Sequence, residues 1–110
     1  MQKSEVMAML REMGMPTVYY QWPNGKVPLP PYTVYYYPSP DNFAADDTVY
    51  VGIETLNIEL YTAAKSFAAE KKVETVLADH GIFWNKTEAY LDSEHLYEVL
   101  YEMEIVLDGE

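Results

Sequence analysis

The sequence predicts an α+β fold, a mainly antiparallel sheet with two helices packed on one face, in the order α-β-β-β-α-β-β. Three observations predict it. From His95 to Leu107 the chain alternates strictly: His95, Tyr97, Val99, Tyr101, Met103, Ile105 and Leu107 share one side, while Glu98, Glu102 and Glu104 share the other, as side chains of an extended strand must. Two other segments space their apolar residues as helices do. The remaining aromatic and β-branched runs are divided by turn signals, so they read as hairpins with a helix inserted between them.

In the first helix Val6, Met9, Leu10 and Met13 fall at i, i+3, i+4 and i+7, with Ser4 as the cap and Gly14 as the left-handed stop. Thr17 to Gln21 read as a short strand. Trp22 to Pro31 form an ordered loop, because prolines remove ladder donors and Asn24-Gly25 supplies a turn. Tyr32 to Tyr37 are the second strand, and Pro38 to Asp47 form an exposed projection leading to the third, Thr48 to Thr62. That strand puts Val49, Val51 and Ile53 on one parity and Leu56, Ile58 and Leu60 on the other. A bulge near Glu54 and Thr55 restores a single face, and a break into two strands is disfavoured because no Gly/Pro turn lies there. Ser66 caps the second helix, whose stripe is Ala69, Val73, Val76, Leu77 and His80. Gly81 followed by Ile82 fits a Schellman stop. Ile82 to Ala89 form the fourth strand, Leu91 to Glu94 a turn, and the alternating segment is the fifth strand.

At 110 residues the chain reads as a single domain. Seven basic residues against eighteen acidic ones give a net charge of −11, and a hydrophobic content of 49% is ample for a core, so the charge belongs to a folded surface. Zero cysteines exclude a disulfide framework and thiolate chemistry. Met1 to Arg11 lack the pattern of a signal peptide, and no run approaches the roughly 20 apolar residues that span a bilayer. The expectation is a soluble protein made in the cytoplasm, with no membrane partner. Eleven tyrosines exceed what a core can use, since each phenol needs a partner or water, and they point to sheet edges or assembly surfaces.

No reacting constellation is visible. His80 and His95 have no partner at metal-ligand spacing, the acidic stretch Asp41 to Asp47 lacks the spacing and glycine of a calcium loop, and no serine sits in a G-x-S-x-G setting. The reading is therefore a protein without catalytic residues, cofactor or metal. Attraction to nucleic acid is disfavoured because the basic residues are few and scattered. Lys65, Lys71 and Lys72 read as a solvated helix face balanced by Glu70, Glu74 and Asp79.

Four stretches of sequence narrow the class further: Pro30-Pro31-Tyr32-Thr33-Val34-Tyr35, then Asn42-Phe43-Ala44-Ala45-Asp46-Asp47-Thr48-Val49-Tyr50, then Ile58-Glu59-Leu60-Tyr61-Thr62, and Leu96-Tyr97-Glu98-Val99-Leu100-Tyr101-Glu102. In order and spacing they resemble small tail proteins of long-tailed phages and prophages of Gram-positive bacteria. These are minor tail components of the head-tail joining region, similar to tail terminators. The resemblance implies a virion protein assembled in the bacterial cytoplasm, forming a ring of about six copies that caps the tail tube, with the tube protein and the head-tail connector proteins as partners. Six copies at −11 each carry −66, and a lumen lined by part of that charge lets DNA pass without specific binding. Glu98, Glu102 and Glu104 are the candidate lumen residues. Trp22, Leu29, Tyr36, Phe43, Asp46 and Asp47 are the candidate assembly contacts. The alternatives are a head-tail connector of stopper or adaptor type, and an acidic DNA mimic that inhibits a host nuclease.

Overall fold

The computed structural model describes residues 1–38 and 51–108. Its elements are α1 (Lys3–Arg11), β1 (Thr17–Tyr19), β2 (Tyr32–Tyr36), β3 (Val51–Thr62), α2 (Phe67–Asp79), β4 (Asn85–Leu91) and β5 (Leu96–Asp108). The predicted α+β class and element order are those of the structure. Phe43, Asp46 and Asp47, with all of the predicted projection beyond Pro38, lie outside the described residues.

The cap of helix α1 lies two residues earlier than the sequence suggests. Gln2 is extended and is the cap, and its N–H donates to Glu5 Oε1 at 2.6 Å, so Ser4 lies inside the first turn. The glutamate three residues after the cap satisfies a donor that a serine at position 4 could not reach from within the helix. Gly14, at φ +76°, ends the turn as predicted. Helix α2 follows its local signals at both ends. Ser66 Oγ accepts from Ala69 N–H at 3.1 Å. At the other end Gly81 N–H donates to the Ala78 carbonyl and Ile82 N–H to the Leu77 carbonyl, the two bonds of a Schellman motif.

One five-stranded sheet runs in the order β1-β2-β3-β5-β4. Only β1 and β2 are parallel, and the 20–31 segment returns the chain between them. At the centre β3 and β5 pair antiparallel through twelve consecutive residues, Val51 opposite Asp108 to Thr62 opposite Tyr97. That unbroken register removes the predicted bulge. Ile53 instead keeps strict alternation, stands on the face opposite Leu56, Ile58 and Leu60, and is 70% exposed beside Val106. A twelve-pair ladder holds its alternation more strongly than one isoleucine can bend it.

Both helices cover one face. Val6, Met9 and Leu10 of α1 and Ala69, Val73, Val76 and Leu77 of α2 bury against Leu56, Ile58, Leu60, Val99, Tyr101, Met103, Ile105 and Leu107. His80 leaves the predicted stripe. It is the C-cap of α2, on the surface, with Nε2 3.2 Å from Glu12 Oε1. The helix face also departs from the solvated reading. Glu70 is only 3% exposed and is held by Lys65 at 2.7 Å and by Lys86 of β4 at 2.7 Å, while Glu74 takes Lys86 and the Tyr101 hydroxyl. Lys71 and Lys72 form no ion pair among the described residues. A carboxylate buried this deeply needs cations from two directions, and β4 supplies the second.

Candidate functional site

Among the described residues, the helices leave the other face of the sheet bare of secondary structure. Alternation places Tyr32, Val34 and Tyr36 of β2, Thr55, Asn57, Glu59 and Tyr61 of β3, and Glu98, Leu100, Glu102 and Glu104 of β5 on it. Part of this face is covered from the β1–β2 side. Trp22 stands edge-on to Tyr32 with ring centroids 5.9 Å apart, and Tyr32 stacks on Tyr61 at 5.2 Å. Tyr32 and Val34 are consequently buried although no helix lies over them.

The predicted acidic residues divide into two kinds. Glu98 is partly covered and accepts a hydrogen bond from the Tyr61 hydroxyl at 2.7 Å. The same hydroxyl lies 2.7 Å from Glu59 Oε1, and Tyr36 donates to Glu59 Oε2 at 2.8 Å. Asn57 Nδ2 points at the Tyr36 oxygen from 3.4 Å. Burial raises the Tyr61 pKa, and the two carboxylates raise it further, so the phenol stays a donor across the physiological range. Glu102 and Glu104 are exposed, and their side chains make no ion pair or hydrogen bond among the described residues. They remain bare anions on β5, Glu102 between β3 and β4 and Glu104 paired on the β3 side.

Of the predicted contact residues, the three described ones, Trp22, Leu29 and Tyr36, belong to the β1–β2 flank. Leu29 is 88% exposed in the 22–31 loop, on the exit side of its 23–26 turn. Trp22 is half-buried at the base of that loop, and its Nε1 is enclosed without a hydrogen-bond partner among the described residues. Tyr36 belongs to the Glu59 network instead of standing free. Alternation about Ile58 and Leu60 would have placed Glu59 and Tyr61 on the open face. Their union with Glu98 needed the β3–β5 register, which no local signal carries.

Among the described residues no group of three His, Asp or Glu side chains could hold a metal ion. No helix among them is long and apolar enough to cross a membrane. No protein-family model matches the chain, and no curated protein matches it.

Proposed function

We propose that the protein is a structural component of a phage tail, a tail terminator whose copies form a ring that caps the tail tube and docks to the head connector. In this reading the ring encloses an acidic lumen, and DNA crosses it without specific binding. The supporting observation is the pair Glu102 and Glu104: exposed, free of cations among the described residues, and anchored on a strand whose alternate side chains are buried in the core. Unneutralised carboxylates at the wall of a conduit repel phosphate and keep a polyanion mobile, whereas clustered arginines would release counterions and bind it. The resemblance of the 58–62 and 96–102 segments to small tail proteins supports the same reading.

The test is to image particles assembled without this protein. Full heads beside tails of uncontrolled length are the expected result. Free tails of normal length would transfer the role to a head-tail connector. A tight complex with a host nuclease would turn the same carboxylates into phosphate mimics.

A further inference from the structure

We propose that the cleft beside the far end of β5 receives the tip of the 22–31 loop from a second copy of this chain. The inference deepens the ring reading and rests on it for closure. Strand β4 begins at Asn85, opposite Glu102, so β5 runs on past it with no strand of the described residues on that side. At the far end Met1 occupies the edge, its amine on the Val106 carbonyl at 3.1 Å and its carbonyl accepting from Asp108 N–H at 3.0 Å. Between Asn85 and Met1 the chain opens into a cleft of about 840 Å³, with Ile82, Met103 and Val106 among its walls and Glu102 and Glu104 beside it. Phe83, also on this cleft, is 90% exposed. Single exposed apolar residues are ordinary, but an unburied phenylalanine at the edge of a hollow whose walls are partly apolar and partly acidic suits a contact that is both greasy and charged.

The loop tip has the complementary form. Val27 and Leu29 are exposed on either side of Pro28, and Pro30 and Pro31 stiffen the exit. Lys26 N–H closes a turn on the Pro23 carbonyl at 2.9 Å, and Trp22 fixes the base against Tyr32. A knob held in shape before contact loses little entropy on docking. Charge agrees with shape: Lys26 makes no ion pair among the described residues, unlike Lys65 and Lys86, and in this contact it takes Glu104 of the cleft, leaving Glu102 to the lumen wall. Knob and cleft belong to opposite edges of the sheet, the loop joining β1 to β2 and the cleft lying where β5 outruns β4. Their contact is therefore head-to-tail, leaving a free knob and a free cleft on every open chain of subunits until the circle closes.

The absence of cysteine allows a direct test. Leu29→Cys and Phe83→Cys proteins, each exposed at the changed position, are mixed at high concentration under mild oxidation and run without reductant. The expected result is a covalent dimer in the mixture well above the dimer that either protein forms alone. No excess over the single variants overturns the proposal, as does a mixture that stays monomeric. A Lys26→Glu protein should lose self-association by at least tenfold, and Lys26→Glu with Glu104→Lys should regain it. Failure of the charge reversal to restore association also overturns the pairing. The ring reading is judged separately: in the Leu29→Cys/Phe83→Cys double variant, a ladder ending at one closed species supports it, and a ladder without end sinks the ring while leaving the contact in place.

Discussion

The Tyr61 hydroxyl lies 2.7 Å from Glu98 Oε2 and 2.7 Å from Glu59 Oε1, so a single phenolic proton serves carboxylates on two adjacent strands. Removing that proton leaves two acids facing each other across the β3–β5 seam. Tyr61→Phe is expected to lower stability by about 2 kcal/mol, since hydrogen bonds to charged groups are worth about 1.5–3 kcal/mol. Urea denaturation measures the loss. Adding Glu98→Gln to Tyr61→Phe should recover part of it, because the amide relieves the like-charge contact.

Alkaline pH should unfold the protein through its enclosed phenols. Burial pushes the Tyr37 pKa up to about 12, with the Tyr35 and Tyr19 rings and Glu54 adding to it. Tyr61 and Tyr101 are raised in the same direction, by burial first and then by their carboxylate partners. In the unfolded chain these phenols titrate near 10.0. Above that pH the unfolded state releases protons that the folded state keeps, so stability is complete below about pH 10 and declines as pH climbs toward the folded values. Absorbance of the phenolate near the ultraviolet edge and far-ultraviolet circular dichroism should change together for these three residues. Ionisation that precedes loss of structure would contradict the assignment.

Glu70 sets the acid side. Burial pushes its carboxyl up, but Lys65 and Lys86 outweigh that and hold it below the usual carboxylate range. A depressed folded pKa contributes stability that is present above the unfolded value of 4.5 and is lost as pH falls through the folded one. Glu70→Ala removes the buried carboxylate shared by Lys65 and Lys86, which keep Glu88 and Glu74 as partners, and should cost about 2 kcal/mol at neutral pH, the range for hydrogen bonds to charged groups. The gap between variant and parent should narrow below pH 4, as denaturant midpoints at several pH values would reveal. A constant gap would mean that packing, and not charge, fixes this corner.

The two ends of α2 offer a matched pair of tests. Ser66→Ala removes the acceptor for Ala69 N–H and should cost about 1 kcal/mol, while Ser66→Asp should keep most of it. Gly81 sits at φ +72°, where a side chain is strained even though nothing crowds its Cβ direction, so Gly81→Ala should cost about 1 kcal/mol. Gly52 has equal space and an ordinary strand conformation. Gly52→Ala should therefore be neutral or slightly stabilising, and thermal melts of the three variants separate backbone strain from simple bulk.

What could be read from the residues in advance was whatever a local rule governs. Ser66, Gly81 and Ile82 act within a turn of one another, and β5 declares its own alternation through thirteen residues. The two-faced character of Glu102 and Met103 was legible for that reason. The parity switch after Ile53 was visible too, but that the strand runs straight through without a bulge was not, because only the pairing of Ile53 with Val106 across the sheet keeps the ladder unbroken there. Glu70 was misjudged as a surface charge because its second cation, Lys86, arrives from another element. The Tyr61 network escaped for the same cause: three residues on two strands meet only once the strands are aligned.

The strand that enters the sheet last along the chain is an interior one, seated between β3 and β4. A ribosome delivers both helices and strands β1 to β4 before Leu96 emerges, and until then β3 and β4 have no common neighbour to bond. The nascent chain must therefore wait, its oily helices only half matched, for residues 96–108 to pair with β3 and give β4 a strand to join. Assembly of the domain is thus a closing stitch rather than stepwise growth, and a protein cut before Leu96 would be substrate for chaperones and proteases instead of a smaller version of the fold.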